Sequence, residues 1–288
     1  MKSVAIVTDS CASIPENLID ELNIHWVPYY IHRGTEVLRD LVSITKRDFY
    51  EWLPSADQLP KTACPGAGDF LELYKKIADE NSLKNIVSIH MTSKGSGAYQ
   101  AAYDAKEILR DIMPDINISI IDTLNVSMCH GWMVIEAARE AMKGASYDMV
   151  INKVQSMKPI TKMLQTADTL KYLYMGGRIG KAKHLVASIL DIKPIISMED
   201  GEIIALGQGR TRKRVYKMMV DLMMKNIGDH GKIKIAYVHA AAKDEVGKLR
   251  LLVEKRIQPI ETLVSELPPA LGVHTGPGTI GFCYYPIT

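Results

Sequence analysis

Cysteine is scarce in this 288-residue chain, aromatic residues are few, and neither sign of charge prevails. The four cysteines, Cys11, Cys64, Cys129 and Cys283, stand far apart, and no C-x-x-C pair occurs. This argues against a disulfide framework and against a zinc site of closely spaced thiolates. Free thiols in a reducing cytoplasm are the expectation. Aromatics make up 7% of the chain, and most of them are Tyr. Lys plus Arg is 35 against 33 for Asp plus Glu, a net charge of +2. A nucleic-acid binder carries a larger basic excess with aromatics among it. No apolar run approaches the ~20 residues of a membrane span, and Asp9 comes too early for a signal peptide. No H-E-x-x-H or comparable ligand spacing occurs, so neither a metal nor a cofactor is expected.

What remains is an ordinary globular composition, 47% hydrophobic and 24% charged. On a prior of ~150 residues per domain, the length favours two domains. Fifteen methionines suit an adaptable apolar cavity and an ordinary core equally well.

Strands alternate with helices in the first half. Ser3 to Thr8 is a Val/Ile-rich run that ends in Thr8-Asp9-Ser10, and Pro15 then opens a helical pattern. Asn85 to Met91 is followed by Thr92-Ser93-Lys94-Gly95-Ser96-Gly97 and a helix over Ala98 to Ile112. Ile116 to Ile121 is followed by Asp122-Thr123 and a helix through Trp132, Ile135 and Met142. This grammar implies a doubly wound α/β domain with a parallel sheet over residues 1–155. In the second half, Lys193 to Ser197 and Glu202 to Ala205 flank the turn Glu199-Asp200-Gly201. Helices over Arg212 to Lys225 and Asp244 to Lys255 alternate with strands over Lys232 to His239 and Thr279 to Tyr285, and Pro259 to Leu267 is extended. Residues 156–288 therefore read as an α+β domain with a mainly antiparallel sheet. The segment at about 58–82 is free to pack with either domain.

Ligands of open parallel sheets bind beyond the carboxyl ends of the strands. Three polar clusters lie there: Asp9 with Ser10, Thr92 to Ser96, and Asp122 with Thr123. The second sets small hydroxyls and two glycines before a helix, where free N–H groups attract an anion. Ser96 is a helix cap on one reading and an anion ligand on the other. Thr62, in Lys61-Thr62-Ala63-Cys64-Pro65-Gly66, is a turn residue or an anion donor. Met175-Gly176-Gly177-Arg178-Ile179-Gly180-Lys181 falls one residue short of a P-loop, and Ala182 stands where a magnesium-binding hydroxyl would be needed. It reads as a glycine-bent loop presenting Arg178. Between Lys171 and Lys217 there are ten Lys or Arg and four acidic residues, a local +6 that the remaining −4 offsets. Such a face suits a phosphate or an acidic protein. His274-Thr275-Gly276-Pro277-Gly278 holds a histidine on a tight loop, where its imidazole is a structural residue on one reading and bonds an oxyanion on the other.

Taken together and in order, these segments resemble the DegV family of bacterial lipid-binding proteins. The carrying pieces are Thr8-Asp9-Ser10, Thr62 with Pro65, Thr92 to Ala102, Ile121-Asp122, Gly176 to Lys181, and His274 to Gly278. The resemblance implies a buried long-chain fatty acid, whose carboxylate is held by a Thr and a Ser that map onto Thr62 and Ser93. Gly95 and Ser96 lie beside them, and His274 maps near the head group. It further implies that Arg178, with Lys181 on the same basic loop, faces a fatty acid kinase that turns the bound acid into an acyl phosphate. The chain would then be an accessory carrier rather than an enzyme, with no nucleic-acid partner, no transmembrane segment and at most transient membrane contact. This chain departs from the family pattern at Ala63-Cys64-Pro65-Gly66, Gly95, Ala98, Thr123 and Arg39.

Two other functions compete. Ser93 or Ser96 with His274 and Asp9 or Asp122 has the residue types of an acyl hydrolase, although no G-x-S-x-G elbow is present. The basic stretch Arg210 to Lys217 suggests a DNA-associated regulator, against which the near-neutral charge counts.

Overall fold

The computed structural model describes residues 4–81, 83–188, 192–228 and 231–287. The chain opens with β1 (Ala5–Asp9), which is buried along its whole length as a central parallel strand must be. Ser3, the expected start of that strand, lies outside the described residues. There follow α1 (Glu16–Glu21), β2 (Ile24–Val27), β3 (Tyr30–Arg33), β4 (Glu36–Arg39), α2 (Lys46–Trp52), β5 (Lys61–Ala63), α3 (Ala67–Asn81), β6 (Asn85–His90), α4 (Ala98–Ile112), β7 (Asn117–Asp122), α5 (Ser127–Met142) and α6 (Tyr147–Met157). The second half comprises β8 (Lys162–Thr166), α7 (Lys171–Met175), β9 (Lys193–Glu199), β10 (Glu202–Gly209), α8 (Arg212–Ile227), β11 (Ile233–His239), α9 (Lys243–Glu254), β12 (Glu261–Glu266), α10 (Pro269–Thr275) and β13 (Ile280–Pro286).

Strands β2-β1-β6-β7 form an all-parallel sheet. Strands β10-β9-β8-β13-β11-β12 form a six-stranded sheet, antiparallel except for the β11–β12 pair. The α/β plus α+β architecture is therefore as expected. The sequence reading lacked a third, small sheet, β4-β3-β5, whose hairpin turns at Gly34 (φ +61°). This places Thr62 in a strand, opposite Ile31, and not in a turn.

Helix α5 lies between the two large sheets. Its residues from Ser127 to Ala138 are all buried, so it lacks the polar face that a surface helix carries. Gly131 lets it approach the segment that follows β1: a Cβ there would stand 2.4 Å from the Ala12 carbonyl oxygen. On its other side, Trp132 Nε1 donates to the Cys283 carbonyl of β13 at 3.2 Å, and its ring meets Tyr285 edge-on. Arg139 donates to both Glu261 oxygens, and Lys234 pairs with Glu136.

Helix α10 corrects the loop expected around His274. Pro268 and Pro269 open it, with Pro supplying the backbone angle of a first helical turn. Gly276 closes it at φ +72°. His274 thus sits in the last turn of a short helix.

Candidate functional site

A cavity of about 470 Å³ lies where the carboxyl ends of the parallel strands face α7, α10 and the β9–β10 turn. This is the position that sheet topology favours for a ligand. Its apolar wall includes Met91, Val126, Leu173, Met198, Ile203 and Leu271. Its polar groups include Tyr29, Thr62, Ser96 and His274, together with the cations Lys94, Arg178 and Lys183. Glu202 is the one carboxylate among these lining residues. An apolar volume with a few convergent polar groups is the usual form of a small-molecule site.

Thr62 and His274 are 212 residues apart in sequence, yet Thr62 Oγ1 and His274 Nε2 stand 2.8 Å apart. Burial, and after it the Arg178 guanidinium, lower the His274 pKa to about 4, so the ring is neutral at pH 7. Its Nδ1 is buried without a partner. Either neutral tautomer keeps the Thr62 contact and leaves Nδ1 unpartnered. In the tautomer that carries the proton on Nε2, the ring donates to Thr62, and the Thr62 hydroxyl is then free to donate into the cavity. Gly176 is needed for this packing, because a Cβ there would stand 2.3 Å from Nδ1.

Ser96 lies just before α4. Its Oγ accepts the Ala98 N–H at 3.3 Å, as the cap reading expects, and it also lines the cavity, as the anion reading expects. Gly95 lines the same wall. Ser93 does not: its side chain is exposed, and its backbone N–H donates to Asp122 Oδ2 at 3.2 Å. The loop turns Thr92 inward, and Thr92 Oγ1 donates to the Gly201 carbonyl of the β9–β10 turn at 2.9 Å. The Thr/Ser pair that shares the cavity is thus Thr62 with Ser96, not Thr62 with Ser93.

Arg178 lies at the cavity, where it donates to the Gly176 carbonyl at 2.7 Å and to the Gly95 carbonyl at 3.4 Å. It has no carboxylate partner among the described residues. Lys181 is not a lining residue. It is exposed, and its Nζ lies 3.7 Å from Glu202. Lys183 takes its place in the wall.

The arrangement does not form a hydrolytic triad. His274 pairs with Thr62, and Ser96 pairs with the hydroxyl of Tyr29 at 2.6 Å. A nucleophilic serine needs a base within hydrogen-bond reach. Asp9 is committed elsewhere: it accepts from the backbone of Cys11 and Met91 and pairs with His90. Among the described residues, no cluster of ligating side chains could hold a metal, and no helix is long and apolar enough to cross a membrane. Sequence reasoning missed Tyr29. The available signal was its place just after Pro28, at the carboxyl end of β2.

These features define an α/β protein of two large sheets and one small one, with an amphipathic cavity lined by residues of both halves of the chain. The family model described as "Uncharacterised protein, DegV family" matches residues 3–287, and the chain belongs to this family. It is 32% identical over 288 residues to a DegV domain-containing protein of Halalkalibacterium halodurans, covering 99% of both chains. It is 30% identical over 282 residues to one of Caldanaerobacter subterraneus, covering 98% of both. Among solved structures it is similar to a fatty-acid-binding DegV family protein from Thermus thermophilus, with a TM-score of 0.92, 26% identity and coverage of 99% of this chain and 100% of the other. It is also similar to DegV, a fatty acid binding protein from Bacillus subtilis, with a TM-score of 0.88, 26% identity and full coverage of both chains.

Proposed function

We propose that this chain is a cytoplasmic carrier that binds one long-chain fatty acid in the cavity, with the carboxylate at Thr62 and Ser96 beside His274. The observation that carries the reading is that Thr62 of β5 and Ser96 of the loop before α4, far apart in sequence, line one cavity together with Met91, Val126, Leu173 and Leu271. Hydroxyl donors satisfy a carboxylate that would otherwise be costly to bury, and the apolar wall takes the tail. Residues 1–155 and 156–288 serve as the two units that enclose it, and the acid is a ligand rather than a cofactor. The chain has no turnover of its own. It presents the carboxylate to a fatty acid kinase, and Arg178, a cation at the cavity without a carboxylate partner among the described residues, meets the incoming phosphate or the kinase surface.

Native mass spectrometry of purified protein tests the reading. One co-purified fatty acid per chain is expected, and protein that stays empty on addition of lipid would refute it. Thr62→Ala with Ser96→Ala is expected to weaken binding at least tenfold, from the roughly 1.5–3 kcal/mol of a hydrogen bond to a charged group. Arg178→Ala is expected to spare binding and lower kinase-coupled acyl phosphate formation.

A further inference from the structure

Tyr29 is buried, with 4% of its surface exposed, and its hydroxyl points at Ser96 Oγ from 2.6 Å. The Cys11 thiol is a second hydrogen-bonding neighbour of the phenol. The phenol proton needs an acceptor. The sulfur is a weak one, whereas the Ser96 hydroxyl oxygen is a good one at short range. Ser96 Oγ already accepts the Ala98 N–H. With the Tyr29 O–H donated as well, both of its lone pairs are filled, and the Ser96 proton can only turn toward the cavity. The phenol itself stays protonated, because burial raises its pKa well above the ordinary value. With its proton on Nε2, His274 gives Thr62 the same polarity.

We infer that Tyr29 is a specificity-determining residue, which fixes Ser96 as a donor so that the cavity takes a carboxylate and rejects a lipid whose head group must itself donate, such as a fatty alcohol. A carboxylate only accepts, so it fits two hydroxyls that only donate. An alcohol facing the same pair leaves its own proton without an acceptor. The inference rests on the fatty-acid reading and assigns a role within it to a side chain that contributes no charge.

The test compares palmitate with hexadecanol on delipidated full-length protein, in the wild type, Tyr29→Phe, Ser96→Ala and the double variant. The wild type is expected to prefer palmitate. Tyr29→Phe keeps the ring and is expected to weaken palmitate binding about threefold to tenfold while leaving hexadecanol equal or tighter, from the usual size of one hydrogen bond. In the Ser96→Ala background the same change is expected to leave the ratio where it is, since its target is gone. An unchanged ratio in Tyr29→Phe, or an equal loss for both lipids, would overturn the role of Tyr29 and leave the fatty-acid reading intact. A wild type that binds neither lipid would overturn both.

Discussion

The two large sheets bury different chemistry. In the parallel sheet, a connected set of polar residues is buried toward the strand ends, beside the apolar Val7 and Ile89: Thr8, Asp9, Ser88 and His90, joined by His130 from α5. Thr8 Oγ1 and His130 Nε2 are 2.8 Å apart, Asp9 holds His90, and His90 and Tyr74 meet at the Ser88 hydroxyl. The six-stranded sheet instead buries Ile235, Tyr237, Phe282 and Tyr284 beneath Val215, Met219 and Met223 of α8 and Leu249 of α9. Apolar burial is strong but has no direction, whereas hydrogen bonds fix position. In the first sheet Asp9 thereby fixes the backbone of Cys11 and Met91, two residues that line the cavity. The other sheet supplies bulk stability and meets the cavity at its edge, through Met198 of β9, Ile203 of β10 and the connections α7 and α10.

The largest expected effect that would break this contrast lies in the apolar sheet. Phe282→Ala should cost about 4 kcal/mol in denaturant unfolding, with the affinity of the remaining folded protein unchanged. A loss of lipid affinity per folded molecule would mean that the core of this sheet also shapes the cavity. Asp9→Ala should cost less, about 2–3 kcal/mol, because it strands the Cys11 and Met91 N–H groups and the His90 ring. Unlike Phe282→Ala, it should also weaken fatty acid binding.

Stability against pH sharpens the contrast further. His274 has a pKa of about 4 when folded against 6.5 otherwise, so the native state binds fewer protons than the unfolded one between those values. Its contribution rises with pH across that window and is lost as pH falls toward 4. Asp40 is fully buried, and burial raises its pKa from 3.8 to about 7, so its contribution falls as pH rises through the same range. The two contributions oppose each other from pH 4 to 6.5, while His130 and His239, whose pKa burial also lowers, add a rise with pH. Asp40→Asn should make the profile rise more steeply than wild type, and His274→Ala less steeply. A slope unchanged from wild type in both variants would remove these two groups from the account. The smallest expected effect is that of Ser93→Ala: stability and affinity within error of wild type, measured beside Ser96→Ala.

Most large elements were legible because their local signals agree with their surroundings. The helix over Ala98–Ile112 is observed with those bounds, and its Ala98, Ala102, Ala105 and Leu109 mark one buried face. The small sheet was not read, since Tyr30-Ile31-His32-Arg33 and Glu36-Val37-Leu38-Arg39 are short and half polar. The choice between Ser93 and Ser96 was beyond the residue pattern, because it turns on how a six-residue loop folds before α4. Thr62 with His274 was known only through resemblance. A contact across 212 residues leaves no periodicity to read, and the helix carrying His274 is announced only by Pro268-Pro269 and Gly276.

Helix α5 has a consequence for dividing the molecule. Its Gly131 face belongs to the first sheet and its Trp132 face to the second. A fragment ending near residue 155 would bare the Trp132 face to water, and a fragment starting there would lack the helix that covers β13. The halves are thus not interchangeable modules. Grafting one cavity wall onto another scaffold requires carrying α5 with it, whereas new termini opened at a surface turn keep that shared layer whole.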